Sequence, residues 1–115
     1  MKVLYKNKKI KNLCTNEEEA IKTFGTEVAI KLFNTINLLE NTKNLKDILV
    51  LPQYKLHLLK GNMQGIFSMY LWRKTGFRLL LIPLDENEKI VKAKEMSLYI
   101  TTVCVEILEV SKHYE

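Results

Sequence analysis

The stretch YKLHLLKGNMQGIFSMYLWRKTGFRLLLI, residues 54–82, carries the pattern that decides the fold class. Tyr54, Leu56 and Leu58 alternate with Lys55 and His57, which is the period of a half-buried strand, and Gly61-Asn62 supplies a turn. Ile66 to Trp72 and Phe77 to Ile82 are aromatic and branched runs, and Arg73-Lys74-Thr75-Gly76 between them is short enough for a hairpin. Downstream, a last strand is expected from about Val103 to Val110. Residues 84–100 give a weaker signal, with a helical turn around Lys94 to Leu98. Upstream the period changes. Thr15-Asn16-Glu17-Glu18 has the form of a capping box, so a helix is expected from about Asn16 to Phe24, stopped by Gly25. Thr26 can cap a second helix whose apolar stripe is Val28, Leu32, Ile36 and Leu39, widened by Ala29 and Phe33. Leu45, Ile48 and Leu49 predict a short helical turn before Pro52, and Val3 to Tyr5 a short first strand. Helices first and a meander after predict an α+β domain spanning residues 1–115, with an N-terminal helical hairpin packed on an antiparallel β-sheet.

A chain of 115 residues suits one domain with one core. At 47% hydrophobic and 27% charged residues it lies far from the composition of a disordered chain. Eighteen Lys and Arg against 13 Asp and Glu give a formal charge of +5, which favours an anionic partner and makes nucleic acid the first candidate. Nothing resembles a signal-peptide core or a membrane span, so a cytoplasmic protein without membrane association is expected. Cys14 and Cys104 stand 90 residues apart without a CxxC spacing, as two buried thiols would. Two histidines without a cysteine cluster argue against a structural zinc site, and no metal or cofactor is expected.

The segment Tyr54-Lys55-Leu56-His57-Leu58-Leu59-Lys60-Gly61 resembles the (Y/R)-x-L-H-x-L-K-G string of the HigB-like branch of the RelE/ParE toxin superfamily. The order continues through Gly65, Phe67 and Ser68 to Phe77-Arg78-Leu79. Leu13-Cys14, Phe24-Gly25, Ala29-Ile30-Lys31-Leu32 and Leu49-Val50-Leu51-Pro52 are similar to the family's hairpin and connector, and Glu109 to Tyr114 to its closing strand. The resemblance implies a RelE-like fold and a toxin of a type II toxin–antitoxin system that cleaves messenger RNA on the ribosome without a cofactor. It also implies a helix-turn-helix antitoxin as partner. Two departures stand out: Asn62-Met63-Gln64 where relatives commonly carry charge, and a longer segment over residues 84–100.

Metal-free RNA cleavage needs a 2′-hydroxyl deprotonated, a phosphorane stabilised and a 5′-oxygen protonated or neutralised. His57 has the residue type to move protons near neutral pH, or else is an inert histidine on a strand face. Lys60, beside Gly61, either brings an ammonium to a phosphate or is a solvated turn lysine. Arg78, inside the apolar run Phe77 to Leu81, either forks onto a phosphate or is paired with one of the 13 acids. Arg73 and Lys74 at the hairpin tip extend the basic surface or are ordinary solvated charges. The resemblance places His113 beside the site as a further catalytic group, with Tyr114 as a stacking platform and Lys112 next to the substrate. By themselves, residues so near a chain end would be idle. Lys8, Lys9 and Lys11, with Lys2 and Lys6, are either a solvated face or a contact to ribosomal RNA. Two other readings compete: a ParE-like inhibitor of DNA gyrase that catalyses nothing, and a degenerate toxin that only binds its antitoxin. His57 with Lys60 and Arg78 favours the nuclease, because gyrase inhibition has no use for a proton-transfer group.

Overall fold

The computed structural model describes the chain outside residues 62–64, 73, 75, 92–94 and 113–115, and Trp72 by its backbone alone. The expected α+β architecture is observed, with a helical layer packed on a five-stranded sheet. In chain order the elements are β1 (Lys2–Tyr5), α1 (Lys8–Thr15), α2 (Glu17–Phe24), α3 (Thr26–Asn41), α4 (Lys46–Leu49), a 3₁₀ turn (Pro52–Tyr54), β2 (His57–Leu58), β3 (Phe67–Trp72), β4 (Phe77–Leu84), α5 (Glu95–Thr101) and β5 (Cys104–Lys112).

The helical half begins earlier than the sequence reading placed it. Asn7 Oδ1 accepts from the Ile10 amide at 2.9 Å and opens α1, which contains the lysines expected only as a charge run. Asn16 then serves two helices. Its amide donates to the Asn12 carbonyl at the end of α1, and its Oδ1 accepts from the Glu19 amide at the start of α2. Asn16 therefore takes the capping role expected of Thr15, whose hydroxyl instead donates back to the Lys11 carbonyl at 2.7 Å. Thr26 is the first residue of α3 and makes no side-chain cap; the entry is shaped by Gly25 at φ +86°, a conformation that favours glycine. The α3 stripe buries Val28, Ala29, Leu32, Ile36 and Leu39, and Thr35 is buried with its hydroxyl donating to the Lys31 carbonyl. At the other end of α3 the Met1 ammonium donates to the carbonyls of Leu39, Glu40 and Thr42, which ties the start of β1 to a helix C-terminus.

The sheet order is β1-β5-β4-β3-β2. β2 to β5 pair antiparallel as expected, but β1 runs parallel to β5, with Lys2 opposite Cys104 and Tyr5 opposite Ile107, so the sheet is mixed. The expected strand over Tyr54 to Leu58 shortens to His57–Leu58. Pro52 starts a 3₁₀ turn through Tyr54, and Lys55 leaves that turn in the left-handed region at φ 43° and ψ 49°. Alternation along β3 and β4 sends Phe67, Met69, Leu79 and Leu81 into the core beneath α3, joined by Val105 and Ile107 of β5. α5 extends past the expected turn and closes the core with Leu98 and Tyr99, the latter edge-on to Phe67 at 5.4 Å. Cys14 and Cys104 are buried free thiols. Among the described residues no helix is long and apolar enough to cross a membrane.

Candidate functional site

Because β3 and β4 turn Phe67, Met69, Leu79 and Leu81 toward the helices, the residues between them lie on the opposite face of the sheet. Register arranges that face in rows. In one row Tyr70 of β3 stands opposite Arg78 of β4, which stands opposite Ser111 of β5. In the next row His57 of β2 is opposite Ser68, then Leu80, then Glu109. Directly opposed side chains on one face have Cβ atoms about 5 Å apart. Strand spacing and the two-residue offset put the His57 and Arg78 backbones on the order of 12 Å apart. Two long side chains with a phosphodiester between them can span that gap.

Arg78 is half-buried, and its Nε is fully buried with no hydrogen-bond partner among the described residues. Nor does any carboxylate among those residues lie within ion-pair distance of it; the ion pair found is Lys2 with Glu88, at 3.6 Å. The structural alternative for Arg78, a partner among the acids, is thus not what the described residues show. Ser68, on the same face, also has a buried hydroxyl without a partner. Buried donors are almost always satisfied, so the half-buried Arg78 is a side chain that a ligand's acceptors could complete, whereas Ser68 is wholly buried and out of a ligand's reach.

His57 is half-buried on the edge strand, with Nδ1 2.7 Å from the Lys55 carbonyl. The Lys55 ammonium donates to the Tyr70 hydroxyl at 3.2 Å and lies 5.2 Å from the centre of the Tyr70 ring. Lys55, Tyr70 and Ser68 therefore join His57 and Arg78, and no role was read for them in the sequence. The signal available was the strand alternation itself, which puts Ser68 and Tyr70 on one face; their partners depend on register. Lys60 is exposed at the end of the same edge, where the Leu59 amide donates to the Ile66 carbonyl and Gly61 turns the chain at φ +73°.

Other expected residues fall elsewhere. Lys112 is in register with Phe77, and its ammonium lies 5.7 Å from the Phe77 ring. Phe77 packs edge-on against Phe24 of α2, so Lys112 is on the helix side of the sheet, away from Arg78. Lys8, Lys9 and Lys11 are exposed on α1, also in the helical layer. Lys8 and Lys11 line a groove along β1, and Lys9 lines a separate groove with Lys6 and Val110. Arg73, His113 and Tyr114 lie outside the described residues. Among the described residues no three of His, Cys, Asp and Glu gather as a metal site would require.

The sequence matches no family model and no curated protein. Its fold is similar to the solved structure of the YoeB/ParE toxin from Agrobacterium tumefaciens, with a TM-score of 0.56 at 15% identity over 99% of this chain and 100% of that one. At this identity the likeness is one of architecture, and it agrees with the mixed sheet and helical layer described above. The chain has the fold of a RelE/ParE toxin.

Proposed function

We propose that this protein is the toxin of a type II toxin–antitoxin system, of the HigB-like branch, and that it is a cytoplasmic, metal-independent endoribonuclease acting on messenger RNA in the ribosome. The observation that carries the reading is the orphaned, buried Nε of Arg78 on the same sheet face as His57. A guanidinium with no carboxylate beside it among the described residues is suited to an anion that arrives with the substrate, and an imidazole one row away is suited to proton transfer. In the proposed reaction the 2′-oxygen attacks phosphorus as its proton passes to His57. The P–O5′ bond then breaks, leaving a 2′,3′-cyclic phosphate and a 5′-hydroxyl. Arg78 stabilises the charge that develops on the non-bridging oxygens, with Lys60 adding positive potential from the edge loop. His113 is assigned a share in proton transfer, and Arg73 and Tyr114 substrate contacts. Lys112 is left out, because it sits over Phe77 on the helix side. Lys8, Lys9 and Lys11 are assigned to ribosomal RNA, which would place the ribosome against the helical layer while the codon meets the other face of the sheet. A helix-turn-helix antitoxin is the proposed partner.

Induction of the protein alone is expected to arrest growth, with messenger RNA cut in phase with the reading frame. Arrest with intact messenger RNA and broken or relaxed DNA would overturn this reading in favour of gyrase inhibition.

A further inference from the structure

The Lys55 carbonyl lies 2.7 Å from Nδ1 of His57. A carbonyl oxygen can only accept, so Nδ1 carries the proton, and in the neutral ring Nε2 holds the lone pair. That carbonyl is aimed by an uncommon backbone. Lys55 is left-handed at φ 43°, a region disfavoured for residues with a Cβ, and its neighbours hold it there. Its amide donates to the Pro52 carbonyl at 3.1 Å, its carbonyl receives the imidazole proton, and its ammonium is anchored on Tyr70. Tyr70 in turn stands opposite Arg78. One residue thus links the imidazole to the row that holds the guanidinium.

We propose that Lys55 is a positioning residue that acts through His57: its carbonyl fixes the Nδ1–H tautomer, so that the proton of the substrate 2′-hydroxyl is taken by Nε2. The transfer rests on the nuclease reading above, whereas the tautomer does not. When Nε2 takes the proton, the ring becomes a cation with both nitrogens protonated, and its Nδ1–H bond to the Lys55 carbonyl becomes charge-assisted. The 2′-oxygen bonds to phosphorus and the 5′-oxygen leaves with a proton from solvent, so the step balances without a further reagent. Among the described residues, the charged and titratable groups on the elements beside the ring are the Lys55 ammonium, the Tyr70 phenol, Lys60 on the edge loop, and Arg78 on the strand beyond β3.

The test is a long-range proton–nitrogen NMR correlation on the full chain, above the imidazole titration. A protonated Nδ1 and a bare Nε2 are expected for His57; the opposite tautomer overturns the proposal. Lys55→Val, whose branched side chain opposes the left-handed backbone, should mix the tautomers, slow RNA cleavage by about 10-fold or more, and alter its pH profile. A folded Lys55→Val variant with the wild-type tautomer and pH profile overturns it. Should that variant fail to fold, Lys55→Gly, which adopts the same backbone freely, must keep the Nδ1–H ring, and its loss overturns the carbonyl's role. A protein that shows the Nδ1–H ring but cuts no RNA overturns the nuclease reading, and transfer through Nε2 with it, and leaves the tautomer standing.

Discussion

Arg78 is the side chain on which the chemical reading turns. If its guanidinium meets charge that develops only as the phosphorane forms, Arg78→Ala should slow single-turnover cleavage by about 100-fold, or about 2.7 kcal/mol, with ribosome affinity little changed. Lysine there should restore only part of the rate, because it keeps the charge and loses the planar fork. Melting measured alongside separates chemistry from folding, and a folded Arg78→Ala protein that cuts at the wild-type rate removes Arg78 from the site. Arg78 could be singled out from the sequence as a cation in an apolar run, and His57 through the resemblance at Leu56-His57-Leu58-Leu59-Lys60-Gly61, since a histidine in an alternating run reads as readily as an inert one. Ser68 and Tyr70 could not, since serine and tyrosine are ordinary on strands. What makes them notable is an unpartnered hydroxyl and a bond to Lys55, and both depend on how separate strands align. Lys55 looked like one solvated position of an alternation; its left-handed backbone follows from the 3₁₀ turn that Pro52 starts.

Helix ends explain where the elements departed from expectation. Asn16 closes α1 with its amide and opens α2 with its side chain, so Asn16→Ala should cost about 1 kcal/mol in denaturant unfolding. Thr15→Ala should cost less, because the Thr15 hydroxyl bonds only to its own helix. Equal losses from the two substitutions would return the cap to Thr15. The capping-box pattern had the right kind of residues but was off by one position, and two adjacent candidates, Thr15 and Asn16, made that ambiguity inherent. α1 escaped notice for a different reason. Ile10, Leu13 and Cys14 recur at helical spacing behind an Asn7 cap, but the lysines between them dominate so short a segment. The long periodic elements α3, β3, β4 and β5 were legible because each carries enough repeats to outweigh one misplaced residue. The pairing of β1 was not, since nothing in four residues says which strand they will lie beside or in which direction.

Burial raises several acidic groups together and sets how the fold should respond to alkali. The Cys14 thiol is pushed from 9.0 to about 12 by burial, and Cys104 is also raised, by burial first and then by the charge of Glu88. Tyr5 rises from 10.0 to about 12 through burial, then the nearby Cys14 and Glu40. Tyr99 does so through burial, then the charge of Glu95 and a hydrogen bond to it. Each group holds its proton more tightly folded than unfolded. The stability this gives is complete below the unfolded values and is lost as pH rises from 9.0 toward about 12. Chemical unfolding followed against pH should show the decline starting in the thiol range, and replacing both cysteines by alanine should delay it to the tyrosine range near 10.0. An onset unmoved in the double variant would mean that the thiols are not what alkali attacks. The parallel pairing of β1 with β5 has a consequence in time. β1 lies against β5 with the other strands between them in sequence, so contacts far apart along the chain are needed to complete the sheet. Until β5 has been made, β1 has no neighbour, β4 lacks one of its two, and the row through Tyr70 and Arg78 lacks Ser111. A chain in which β5 is not yet available therefore cannot complete the row through Arg78, and the face proposed to meet RNA is finished late in folding.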